Sequence, residues 1–79
     1  MESIYRTKDL NESAFLYASG QKLIKLEDDK GRFYFVFEDG PTCQRLIAAY
    51  WQKETSISPK EFADALRSLK DRIFSAQRV

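Results

Sequence analysis

Histidine is missing from this 79-residue chain. With it go the histidine-based catalytic triads, the commonest general base and the commonest metal ligand. The one cysteine, Cys43, allows no internal disulfide and fits a reducing compartment. Glycine occurs three times, each isolated, at Gly20, Gly31 and Gly40, so no glycine-rich phosphate loop can form. Charge of one sign is also lacking. Thirteen basic and twelve acidic side chains leave a net +1, so no global field draws the protein to nucleic acid or anionic lipid. The longest apolar runs, residues 33–37 and 46–51, fall far short of the roughly 20 residues that cross a bilayer. No charged-then-apolar leader opens the sequence, and a soluble, cytoplasmic protein is the expectation.

What is present is ample for a core: 43% of the chain is hydrophobic and 14% of the chain is aromatic. Residues 1–79 are expected to form a single domain, near the lower size limit for an unaided core, where help from a partner subunit is plausible. Charge is unevenly placed. Residues 67–79 hold Arg67, Lys70, Arg72 and Arg78 against Asp71 alone.

The strongest structural signal is Arg32–Glu38, with five apolar residues in a row, four of them aromatic. Such a run wants cover on both faces and predicts a central strand. Residues 3–8 read as a short edge strand. Asp9 is a helix N-cap with Glu12 completing a capping box, and Leu10, Ala14, Tyr17 and Ala18 recur at helical spacing. Leu16 falls off that arc, and Gly20 ends the helix as a left-handed C′ residue. Residues 21–27 and 32–38 form a hairpin about the turn Asp28-Asp29-Lys30-Gly31. Setting Glu27 opposite Arg32 places Leu26, Ile24 and Lys22 across from Phe33, Phe35 and Phe37. The other face then pairs Lys25 with Tyr34 and Leu23 with Val36.

A second helix follows Gly40-Pro41, with the proline at its first position. Cys43, Leu46, Ile47, Tyr50 and Trp51 share its inner side. Ser58, Pro59 and Glu61 open a third helix with a capping box, stapled by Ile57 and Phe62. Its seam is Phe62, Leu66, Leu69, Ile73 and Ala76, with Lys60–Asp64 and Arg67–Asp71 as ion pairs along the helix. The fold class is therefore α+β, in the order β-α-β-β-α-α. A crossover between strands one and two leaves a slot for strand three, giving sheet order 1-3-2. The C-terminal helix pair is expected to pack as a hairpin on the sheet, or to swap between subunits.

Thr7-Lys8-Asp9-Leu10, Gly20, Phe35-Val36-Phe37-Glu38-Asp39, Tyr50 and Leu69-Lys70 resemble a family of short, uncharacterised bacterial and phage proteins. Its members share a Thr-Lys-Asp-Leu opening and a Phe-Val-Phe strand. The resemblance runs from about Ile4 to Phe74. It implies a cytoplasmic accessory role in phage or mobile-element genes, and it supplies no catalytic or binding residue.

Enzyme chemistry finds little support. Cys43, amid Leu46, Ile47 and Tyr50, reads as a buried and inert thiol. Asp28-Asp29 is ordinary turn composition, and Glu38-Asp39 lies beside a helix N-terminus whose dipole favours carboxylates. Asn11-Glu12-Ser13 matches a glycosylation triplet by coincidence. No enzyme activity, cofactor, metal or small-molecule substrate is expected. Two binding readings stay open. For protein contact, including self-association as a homodimer, the candidates are Leu23, Tyr34 and Val36 on the uncovered hairpin face, with Phe74, Leu16 and part of the C-terminal seam. For nucleic acid, Lys25, Arg32 and Tyr34 offer an aromatic between cations, Arg6, Lys8 and Lys22 could extend it, and Arg67, Lys70, Arg72 and Arg78 a phosphate-contacting stripe. Glu27 and the Asp28-Asp29 turn oppose that second reading, because they would repel phosphate. Protein interaction is preferred.

Overall fold

The computed structural model describes residues 3–77. It contains β1 (Ile4–Thr7), α1 (Leu10–Ala18), β2 (Leu23–Asp29), β3 (Arg32–Glu38), α2 (Gly40–Trp51) and α3 (Pro59–Gln77). Both β1 and β2 run antiparallel to β3, and the sheet order is β1-β3-β2. The β1-α1-β2 crossover thus leaves the central slot for the most apolar strand, as its composition demands. No helix among the described residues is long and apolar enough to cross a membrane.

Phe35 and Phe37 point into one core with Ala14, Phe15, Leu16, Cys43, Ile47, Ala65 and Leu69. Full burial of each phenylalanine stabilises by roughly 1.5–3 kcal/mol. Leu16, expected at the surface, is wholly buried. The reason is that Ser13, Ala14, Phe15 and Leu16 are all buried, and four consecutive positions circle most of a helix. Helix α1 is covered by α3, α2 and β1 together, so a single-stripe reading underestimates its buried surface. Ser13 remains satisfied there, its hydroxyl donating to the Asp9 carbonyl at 2.8 Å. The main helix–helix contact is α3 on α1, where a hairpin of α2 and α3 was expected. Ala65 and Leu69 are the buried centre of α3, with Phe62, Leu66 and Ile73 half-buried beside them.

The caps explain the element ends. Asp9 accepts from the Glu12 amide at 3.0 Å, but the reciprocal half of the box is absent: the Asp9 amide donates to Thr7 Oγ1 at 3.1 Å, leaving the Glu12 carboxylate for other partners. Gly20, at φ +94°, closes α1, with the Gln21 amide donating to the Leu16 carbonyl. Asp39 caps α2, so Gly40 takes the first helical position and Pro41 the second. Ser58 accepts from the Glu61 amide at 3.1 Å, as its sequence signature predicts. Of the two expected ion pairs on α3, Lys60–Asp64 forms at 3.3 Å, and Arg67–Asp71 does not form among the described residues.

The hairpin register differs from expectation by two residues. Lys30 and Gly31 alone make the turn, both at positive φ, and the Gly31 amide donates to Asp28 Oδ1 at 2.9 Å. Such a two-residue loop matches strand twist better than the four-residue loop read from Asp28-Asp29-Lys30-Gly31. Leu26 therefore faces Phe35, Glu27 faces Tyr34 and Lys25 faces Val36. A bulge then intervenes between Leu23 and Lys25. The extra residue, Ile24, is 44% exposed, and Leu23 turns to the core side opposite Phe37.

Gly40 is needed for steric reasons. Its amide donates to the Ser3 carbonyl at 3.2 Å, and a Cβ there would lie 2.8 Å from the Ile4 carbonyl oxygen. Gly40→Ala must push β1 and α2 apart, and destabilisation of about 1–3 kcal/mol is expected in thermal or urea unfolding. An unchanged midpoint would contradict this packing.

Candidate functional site: the open face of the sheet

The helices cover one face of the sheet. The other carries Ile4 and Arg6 of β1, Lys25 and Glu27 of β2, and Tyr34, Val36 and Glu38 of β3, by strand alternation and register. Val36, a candidate contact residue, is only 1% exposed. Arg6 and Lys25 are its direct neighbours on the two flanking strands, so their long side chains meet over it. Arg6 Nε donates to Glu27 Oε1 at 2.7 Å, and Lys25 Nζ lies 3.3 Å from Glu27 Oε2. The bridge holds the Glu27 carboxyl below the usual range, chiefly through the Arg6 hydrogen bond, and raises Arg6 in return. Both groups are partly exposed, so the network closes this face more than it stabilises the fold.

The same arginine settles the position of Tyr34. Its guanidinium carbon sits 3.7 Å from the Tyr34 ring centroid, so one face of that ring already has a cation on it. Arg32 is exposed at the hairpin end beside Asp29 and Lys30. The helical cations lie elsewhere. Arg67 and Lys70 are exposed on α3, on the helical side of the molecule, and the Arg72 guanidinium is 5.9 Å from the Tyr17 ring of α1. Arg78 lies outside the described residues. The structure therefore gathers Lys25, Arg32 and Tyr34 on the sheet but leaves Arg67, Lys70 and Arg72 on another layer. Of the apolar candidates, Leu23 and Leu16 pack inward, Val36 is roofed, Tyr34 is half-buried, and Phe74 is 61% exposed on α3.

An apolar site that the sequence reading missed lies at the other end of this face. Ile4 is 49% exposed and, with Ile24, borders a shallow groove of about 430 Å³ completed by Ser3, Glu38, Asp39 and Pro41. Asp39 accepts from the Thr42 hydroxyl at 2.7 Å and its amide at 3.2 Å, which holds its carboxyl below the usual range. The available signal was the broken alternation Leu23-Ile24-Lys25-Leu26, where one extra residue must leave the ladder.

The groups with chemical potential serve the fold. Cys43 is buried, its thiol donating to the Glu38 carbonyl at 3.3 Å while Gln21 Nε2 approaches at 3.4 Å, and burial pushes the thiol up, away from thiolate. The Glu12 carboxylate accepts from Tyr5 Oη at 3.1 Å, Thr7 Oγ1 at 3.1 Å and Trp51 Nε1 at 3.0 Å, tying β1, α1 and α2 together. Trp51, expected on the inner side of α2, is 64% exposed, with its N–H held by Glu12 and its ring edge-on to Tyr50. Among the described residues no group of three or more acidic or cysteine side chains converges as a metal site.

The family model of a domain of unknown function, DUF5659, matches residues 2–75. The chain belongs to that family. No match was found among curated proteins or among solved structures.

Burial, followed by the hydrogen bond to Glu12, pushes Tyr5 up to about 12 in this DUF5659 domain. The folded state thus favours the neutral phenol. Its contribution to stability is complete below about pH 10, where the unfolded tyrosine ionises, and is lost as pH rises through 12. A tyrosinate absorbance titration is expected to show a step near 12 that Tyr5→Phe removes. The Glu27 shift has the opposite sign: its contribution is present above the unfolded carboxyl value of 4.5 and is lost as pH falls through the lower folded value. Glu27→Gln should therefore flatten the acid limb of the stability curve, and an unchanged limb would contradict the Arg6 bond.

Proposed function

We propose that this domain is a non-enzymatic protein-interaction module, one that works as a homodimer and docks a further protein at the Ile4–Ile24 end of its open sheet face. The context is that of a cytoplasmic accessory protein of the phage or mobile-element kind, which the family resemblance supports. The observation that carries the docking site is the bulge. It takes an isoleucine out of a strand that could have buried it and sets it beside a second exposed isoleucine, across the end of β3. Exposed aliphatic side chains grouped about a groove are typical of contact surfaces. Glu38 and Asp39 rim the groove with carboxylates, so its partner offers an aliphatic side chain next to lysine or arginine.

Nucleic acid is the second reading, and the geometry supports it less. A stacking base would have to displace Arg6 from Tyr34, and Lys25 is already opposed by Glu27. Absence of enzyme activity is supported by the burial of Cys43 and by the structural use of Glu12.

Short peptides pairing leucine with arginine, and controls pairing leucine with aspartate, distinguish these readings when titrated into the methyl-labelled protein. The basic peptides are expected to shift the Ile4 and Ile24 methyl signals, and Ile24→Asp is expected to abolish the response while leaving stability within about 0.5 kcal/mol. Silence of both methyls towards every peptide, with an oligonucleotide instead perturbing Tyr34 at low salt, would replace this function with the second.

A further inference from the structure

The sheet ends at β2. Its order leaves one side of Leu23–Asp29 without a strand partner among the described residues. Edge strands that stay single commonly carry charges that repel their own copy. Those of β2 attract in one register.

We infer that the second copy of this chain pairs with the β2 edge, antiparallel about a two-fold axis at Leu26. The inference rests on the self-association proposed above and specifies its surface. A two-fold that keeps both helical layers on the same side of a continuous sheet must pair residues pointing to the same face. The axis then passes through a residue position, where a residue meets its own copy. At Lys25 two ammonium groups would oppose each other, and at Glu27 or Asp28 two carboxylates would. Ile24 sits in the bulge, where the edge is irregular. At Leu26 the charges complement: Lys25 lies across from Glu27 of the second copy, and Glu27 across from its Lys25. Both side chains are on the open face, where Lys25 Nζ already reaches Glu27 Oε2 at 3.3 Å within one chain.

The helical side supports the same axis. Leu26 is half-buried and, with Asp71, Arg72, Ser75 and Ala76 of α3, lines an apolar groove of about 400 Å³ beside this edge. The axis brings that groove against its own copy. Arg72 and Asp71 then approach Asp71 and Arg72 of the second chain, while the small Ser75 and Ala76 leave room for its Leu26. One symmetry operation thus matches charge on both sides of the sheet and doubles its three strands into a continuous six.

Two single charge reversals test this by light scattering on the full chain. Wild type is expected at twice the 9.2 kDa chain mass at high micromolar concentration. Lys25→Glu puts carboxylates at both of the positions that pair across the axis, 25 and 27, and Glu27→Lys puts ammonium groups at both, so each variant alone should self-associate roughly tenfold more weakly. Mixed in equal amounts, they should pair with each other, because each edge now meets its opposite. Lys25→Glu leaves the Arg6–Glu27 bridge in place, and circular dichroism verifies that each variant is folded. A strictly monomeric wild type would overturn self-association itself. A dimer indifferent to both reversals, a mixture that fails to pair, or a dimer dissolved by Ile24→Asp alone would overturn the β2 edge and leave self-association standing.

Discussion

The middle strand has neighbours on both edges and apolar side chains on both faces, so it cannot be stable until each face is covered. The two covers differ in kind. On one side Phe35 and Phe37 meet three helices and become fully buried. On the other, Val36 is buried as completely without any helix, because Arg6 and Lys25 extend from the flanking strands and both reach the Glu27 carboxylate. Apolar stems lie on the sheet and charged ends face water. So small a domain has no spare helix for a second layer, and ion pairs on the sheet face, Arg6–Glu27 across the strands and Lys25–Glu27 along β2, take its place.

The closure has consequences for recognition. The centre of the open face offers a partner neither a bare aromatic ring nor a bare valine, since Arg6 lies over Tyr34 and the Val36 methyls are roofed. What remains accessible is displaced to the margins: the Ile4–Ile24 groove at one end and the unpaired side of β2. Glu12 has a comparable effect in the helical layer. By accepting from Tyr5, Thr7 and Trp51, it fixes β1, α1 and the last turn of α2 relative to one another, so the groove between β1 and the start of α2 rests on a rigid frame.

The sequence carried the element order, the sheet order and most caps, because these depend on local chemistry: a capping serine three residues before a glutamate, a glycine after a helix, a continuous apolar run. Register was less legible. Asp28-Asp29-Lys30-Gly31 suits a four-residue loop, and only the preference of twisted strands for two-residue turns selects Lys30-Gly31. The bulge reversed Leu23 and Ile24, and with them half of the expected apolar face. Leu16 was misplaced because one-stripe periodicity assumes a helix with one buried side. The burial of Val36 could not be read from its own neighbourhood in sequence, since the arginine that covers it lies thirty residues upstream and the glutamate that fixes that arginine is on a third strand.

A single inserted residue accounts for both surfaces that remain. Without the bulge, Ile24 and Leu26 would both point to the core side, β2 would keep alternation along its length, and Ile4 would stand alone beside β3. With it, Ile24 leaves the ladder and gives the groove its second aliphatic wall. The same irregularity leaves residues 25–29 as the regular part of the β2 edge, and within it Lys25, Leu26 and Glu27 alternate charge, apolar, charge. Bulges are known to protect edges from indiscriminate pairing. In the pairing proposed above, centring on Leu26 brings unlike charges together, whereas centring on Lys25, Glu27 or Asp28 sets like charges against each other. Under that proposal the register is chosen by which side chains meet across the edge, with little need for additional surface.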